Sequence, residues 1–119
     1  MADIVALEQI LAEMERIEGV SNAVLVAKNG MHIAGKIPEG AHQETFVAMF
    51  AILLGAAETA TSELKDRLKA VVLHLNTSRM LIINDGPKAL FVIQLTMEAD
   101  IEKIQNEISR FSKKMEEFL

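Results

Sequence analysis

Apolar residues recur at three- and four-residue steps near the start of the chain, at Ile4, Leu7, Leu11, Met14 and Ile17, with Ile10 beside them. That spacing predicts an amphipathic helix, capped by Asp3 and ended at Glu18-Gly19, where glycine suits the left-handed backbone of a helix terminus. Ala23–Lys28 then predicts a strand, Asn29-Gly30 a two-residue hairpin turn, and Met31–Lys36 the returning strand. Pro38-Glu39-Gly40 breaks the pattern. Later, Ala70–Leu75, Met80–Ile83 and Ala89–Leu95 form three β-rich runs separated by Asn76-Thr77-Ser78 and Asp85-Gly86-Pro87. Separators this short predict an antiparallel meander. The strand cores are apolar at successive residues rather than alternate ones, which predicts a sheet covered on both faces. Ile101, Ile104, Ile108, Phe111, Met115 and Phe118 mark a closing helix whose stripe suits packing on that sheet.

Residues 41–66 behave differently. They predict one long helix, and its first half carries Phe46, Val47, Met49, Phe50, Ile52, Leu53 and Leu54. At about 3.6 residues per turn these side chains point around the whole circumference. A helix that is apolar all round is buried on all sides, and a chain of 119 residues has little to spare for that cover. The pattern therefore predicts a partner, most simply a second copy. The second half turns to small residues, Gly55, Ala56, Ala57, Thr59, Ala60, Thr61 and Ser62, which let another backbone approach. The expected architecture is α/β of the α+β type: a five-stranded antiparallel sheet between helices, ordered α-β-β-α-β-β-β-α, in a single domain over residues 1–119.

Composition narrows the function. The formal charge of −5, from 12 basic and 17 acidic residues, lacks the basic stripe that neutralises nucleic-acid phosphates. No run approaches the roughly 20 uninterrupted apolar residues of a membrane span, and the start of the chain lacks the pattern of a secretory signal. A cytoplasmic protein with no nucleic-acid contact and no membrane insertion is expected. With no cysteine, thiol catalysis and zinc–thiolate sites are excluded. Gly30 to Lys36 matches the spacing of a phosphate-binding loop, but Ile37 stands where a hydroxyl must meet magnesium, and the segment reads as a hairpin rather than a strand–helix junction. None of His32, His42 and His74 has a ligand three or four residues further along the chain, and the acidic residues share helix faces with lysines. No catalytic, cofactor-binding or metal-binding residue is predicted, and the chain is expected not to be an enzyme.

Gly19 through Val26 leading to Asn29-Gly30, the long helix from Phe46 to Leu64, and a meander with Asp85-Gly86-Pro87 between its last two strands resemble the roadblock / dynein light-chain family, in its single-domain prokaryotic form. The resemblance spans nearly the whole chain and implies a fold related to longin and profilin-like domains. It also implies a homodimer without an active site, joined edge to edge through Ala70–Asn76, with the central helices side by side. The interface residues would be Gly55, Ala56, Thr59, Ala60, Leu64, Val71, Leu73 and Leu75. Members of that family recruit or regulate Ras-like small GTPases, in some cases stimulating GTP hydrolysis, or serve as adaptor subunits. The expected function is thus a homodimeric GTPase regulator that orders the GTPase's own catalytic groups. A structural scaffold is the alternative, and a small-molecule sensor using an apolar cavity between helix and sheet is a third reading. His42, Gln43, Glu44 and Phe46 are a candidate partner surface. Arg67 and Arg79 are the candidates for an arginine donated to the GTPase.

Overall fold

The computed structural model describes residues 2–119. Helix α1 spans Ile4–Met14, β1 Val20–Ala27, β2 His32–Ala34, α2 Gln43–Ser62, β3 Ala70–His74, β4 Arg79–Asp85, β5 Ala89–Leu95 and α3 Ile101–Glu116. The predicted order of elements is the observed one. All five strands lie in one antiparallel sheet, ordered β2-β1-β5-β4-β3. The hairpin and the meander are fused by the β1–β5 pair in the middle, which leaves β2 and β3 as the two edges.

Local chemistry sets the boundaries. The Asp3 carboxylate accepts the Ala6 N–H at 3.1 Å and caps α1, as its sequence position predicts. The helix ends at Met14, short of Ile17, because the next residues close into turns in which Val20 N–H donates to the Ile17 carbonyl. β1 consequently starts at Val20, opposite Leu95, three residues ahead of the expected Ala23. β2 is shorter than the predicted Met31–Lys36. The chain leaves the ladder at Gly35, whose φ of +95° suits glycine. A Cβ there would also lie 2.6 Å from the Ala23 carbonyl oxygen, so the close approach excludes any side chain. The Gly35 N–H turns instead to Glu8 of α1, at 3.0 Å.

Alternation then sorts the strand residues between two layers. Leu25, Leu81, Phe91 and Ile93 face α1 and α3, where Leu7, Leu11, Met14, Ile104, Ile108 and Met115 meet them. Val24, Val26, Ile82, Leu90 and Val92 face α2. The sheet is covered on both faces, which is why its strands read as continuous apolar runs.

The long helix is shorter than residues 41–66. His42 caps its start, and the hydroxyls of Thr61 and Ser62 bond back to the carbonyls of Ala57 and Thr59 at its end. Lys65, with φ of 55°, then turns the chain away. By length and composition α2 is long and apolar enough to cross a bilayer, a property the sequence reading denied it. Here Val47 and Leu54 are buried against the sheet, and Glu58 bonds to it.

Candidate functional site

The expectation that α2 is buried on all sides fails within the chain itself. Only Val47 and Leu54 are buried. Phe46, Phe50, Ala51 and Leu53 are half-buried, Phe46 and Phe50 with ring centroids 4.8 Å apart. Met49 and Ile52 are 54% and 60% exposed. Two adjacent stripes emerge on the outer side of α2 when side chains are followed at three- and four-residue steps. One runs Ala48, Ile52, Gly55, Thr59, and its flank is fixed by Gly30 of the β1–β2 turn, where a Cβ would lie 3.5 Å from Ala48 Cα. The other runs Met49, Leu53, Ala56, Ala60 and on to Leu64, a leucine just past the helix end that is 75% exposed. Large apolar side chains occupy the first half of this surface and small ones the second. Gly55 is open: a Cβ there would meet nothing within 4 Å.

The edge strand β3 contributes to the layer beneath α2. It pairs with β4 on one side, Val72 opposite Leu81, and has no strand on the other. Its outward N–H and C=O groups form an open edge. Val71 and Leu73 point to the α2 side and are half-buried against its cluster. Leu75, expected within the joining strand, falls just beyond it, where its N–H closes a turn on the Ser78 carbonyl at 2.9 Å. Thus Gly55, Ala56, Thr59 and Ala60 lie exposed on α2, Leu64 lies exposed two residues beyond its end, and Val71 and Leu73 lie on the edge strand β3.

A polar clamp holds α2 against the sheet. Asn84 of β4 donates to Glu58 Oε2 at 2.7 Å, and Lys28, at the end of β1, bonds to Asn84 and lies 3.8 Å from the same Glu58 oxygen. The helix is therefore seated by two buried side chains and one charged network. Met49, Ile52, Gly55, Ala56, Thr59 and Ala60 remain exposed on its outer side.

Several of the remaining polar candidates also make bonds within the chain. His42 Nδ1 sits 3.2 Å from Thr45 Oγ1 and accepts the Thr45 N–H, so it serves as a helix cap, while Gln43 and Glu44 beside it are exposed. His32 Nε2 is 2.7 Å from the Gly35 carbonyl. Arg79, one of the two candidate arginines, is not free: its guanidinium donates to the carbonyls of Thr96 and Ala99, the latter at 2.6 Å, and ties down the β5–α3 loop. Arg67 is exposed. Among the described residues no group of three His, Asp or Glu side chains could hold a metal ion.

A groove of about 1020 Å³ lies between the end of α1 and the flank of α3, with Ile17, Ile104 and Phe111 among its apolar lining. Its rim alternates Glu13, Glu18, Glu98 and Glu107 with Arg16, Lys103, Arg110 and Lys114. This is a mixed-charge surface cleft on the α1–α3 side, not the apolar cavity under α2 that a small-molecule sensor would need.

Sequence reasoning missed one buried polar residue. Asp85 was assigned to a turn, yet it is the last residue of β4, 1% exposed, and accepts a hydrogen bond from Ser112 of α3. Burial, and next the charge of Glu116, push its pKa up, against the opposing Ser112 bond. The alternation Leu81, Ile83, Asp85 along one face of β4 could have revealed it.

Comparison with known proteins places this geometry. A family model described as the Roadblock/LC7 domain matches residues 6–95. An uncharacterized protein of Methanocaldococcus jannaschii is 26% identical, covering 83% of this chain and 93% of its own. A Roadblock/LC7 domain from Streptomyces avermitilis superposes with a TM-score of 0.82 at 15% identity, covering 93% of this chain and 95% of that one. An MglB solved in a tetrameric arrangement superposes with a TM-score of 0.81 at 22% identity, covering 97% of this chain and 90% of that one. At such identities the two structures establish the shared fold.

Proposed function

Since the chain belongs to the Roadblock/LC7 domain family, we propose that it is a non-enzymatic binding module that pairs with a second copy of itself and regulates a Ras-like small GTPase. One observation carries the reading: α2 leaves Met49 and Ile52 more than half exposed, on the same side of the sheet to which the edge strand β3, its outer backbone groups open, turns Val71 and Leu73. Two copies pairing through β3 would satisfy both edges at once, because antiparallel backbone pairing extends the sheet while the small residues of α2 let two helices approach. Gly55, Ala56, Thr59, Ala60, Leu64, Val71 and Leu73 are the interface of this proposal, with Leu75 at its margin. The tetrameric arrangement of the similarly folded MglB supports a fold that assembles with itself.

The GTPase part rests on the family resemblance. Regulation would act by binding and ordering the GTPase's own catalytic groups, a shift of population toward the competent state. The engagement of Arg79 with backbone carbonyls favours ordering over donation of an arginine, and leaves Arg67 as the one exposed arginine of the original pair. Gln43, Glu44 and the edge of Phe46 offer a contact surface at the head of α2.

Sedimentation across a concentration series tests the dimer. Affinity capture from lysate, run in parallel with a non-hydrolysable GTP analogue and with GDP, tests the GTPase. A small GTPase enriched only with the GTP analogue is the expected result. The same partners in both lanes, with no GTPase among them, would replace regulation by the scaffold reading.

A further inference from the structure

Asp85 is a buried titratable group that the proposed interface does not use. Its side chain sits on the face of the sheet opposite α2, beneath the last turns of α3. One carboxylate oxygen accepts the Ser112 hydroxyl; the other, Oδ2, is buried with no partner. A lone charge in that position has lost its water and gained one hydrogen bond. Glu116, one turn beyond Ser112, adds a second negative charge: a Cβ at Gly86, the residue after Asp85, would lie 3.7 Å from Glu116 Oε1.

No cation answers these carboxylates among the described residues. On α3, Lys113 is exposed and Lys114 reaches Glu13 of α1 at 3.7 Å. On the β4–β5 turn, Lys88 is exposed. On α1, Glu8 is bonded to Gly35, and Asp3 at the helix start is bonded to Ala6. Lys28 and Glu58 belong to the Asn84 clamp on the other side of the sheet. Neighbouring residues of one strand thus treat their helices differently: Asn84 holds α2 through a complete network, and Asp85 meets α3 with one oxygen unanswered.

We propose that Asp85 is a proton-operated latch on the C-terminal turns of α3. The neutral carboxyl still accepts the Ser112 hydroxyl, carries no buried charge, and lets α3 seat on the sheet. Loss of the proton to solvent leaves a buried negative charge in the apolar layer, repelled by the exposed Glu116 carboxylate, and loosens residues 112–118. The same step weakens the contact between the chain ends, where Asp3 N–H donates to the Phe118 carbonyl at 2.9 Å.

The direction follows from linkage. Asp85 binds its proton more tightly in the folded chain than at the ordinary value of 3.8. Its contribution to stability is therefore present at low pH and is lost as pH rises from the unfolded-state value through the folded-state one. Acidification tightens the latch.

The test follows the Asp85 carboxyl carbon by NMR across pH, together with hydrogen exchange of amides 112–118 corrected for intrinsic rates. The titration midpoint should lie above that of an exposed aspartate, and protection should fall several-fold as pH crosses it. Asp85→Asn, which mimics the neutral form, should keep those amides protected at all pH values. Glu116→Gln removes one negative charge at the exposed end of the pair and should move the Asp85 midpoint to lower pH. A midpoint at the ordinary value would overturn the proposal, as would pH-dependent protection in Asp85→Asn that parallels the unmodified chain. If Asp85→Asn fails to fold, the unmodified chain decides: protection of amides 112–118 that does not change across the Asp85 midpoint refutes the latch.

Discussion

The two faces of the sheet are finished to different degrees. On one, α1 and α3 contribute Leu7, Ile10, Leu11, Met14, Ile104, Ile108 and Met115 to a continuous buried layer. On the other, α2 is longer than either and far more apolar than α3, yet buries only Val47 and Leu54. A helix usually turns its apolar stripe inward and its polar side to water. α3 obeys this rule and α2 does not. The closed face therefore contains what the chain needs to fold, and the open face carries apolar surface whose burial requires something else. Exposed apolar surface of that kind marks interaction sites.

Substitutions separate these roles, and the largest effect belongs to the closed face. Phe91 is completely buried at the centre of β5. Phe91→Ala should cost about 3–5 kcal/mol of stability, the same at any protein concentration, as read by chemical denaturation. A loss below about 1 kcal/mol would mean that this face is less tightly packed than it looks. Next comes the edge strand. Leu73→Asp places a charge where β3 meets the α2 layer, and should abolish dimer formation in sedimentation equilibrium while costing roughly 1–3 kcal/mol in the lone chain. A folded variant that still dimerises at low concentration would remove β3 from the interface.

The sequence revealed the two faces unequally, for physical reasons. Periodicity placed every strand and helix because each buries a stripe, and the α3 stripe from Ile101 to Met115 was readable residue by residue. The excess of apolar residues on α2 was equally plain; what it could not show is that the chain covers only one side of that helix. Boundaries moved where local bonds overrode the pattern. The close approach at Gly35 cut β2 short, and the Thr61 and Ser62 hydroxyls ended α2. Polar roles were least legible. His42 as a cap, Arg79 as a loop tie and Asp85 as a buried carboxyl each depend on partners distant in sequence or on backbone geometry, to which residue spacing is blind.

The two outer stripes of α2 can be told apart by charge. Ile52 lies on the stripe that passes Gly55 and Thr59, and Met49 on the stripe that passes Ala56, Ala60 and Leu64. Both side chains are more than half exposed, so Ile52→Glu and Met49→Glu should change the stability of the lone chain by no more than about 0.5 kcal/mol. The substitution that falls inside the dimer should weaken association tenfold or more, about 1.4 kcal/mol. Sedimentation of the two variants identifies the buried stripe. If neither weakens association, the helices do not meet along their first half.

The smallest change is the sharpest probe, because its sign differs between a lone chain and a pair. Gly55 lies within α2, where glycine is about 0.8–1.0 kcal/mol poorer than alanine as a helix former. A methyl group there touches nothing in the chain itself. Gly55→Ala should therefore raise thermal stability at concentrations where the protein is monomeric. In the dimer the same methyl would stand between two helices brought together by small residues, and association should weaken by about tenfold. Measuring both quantities on one variant separates what the helix needs from what the interface needs. A rise in monomer stability with unchanged association would place Gly55 outside the contact and shift the interface to the Met49–Leu64 stripe. A fall in monomer stability would contradict the open surface from which the functional reading starts.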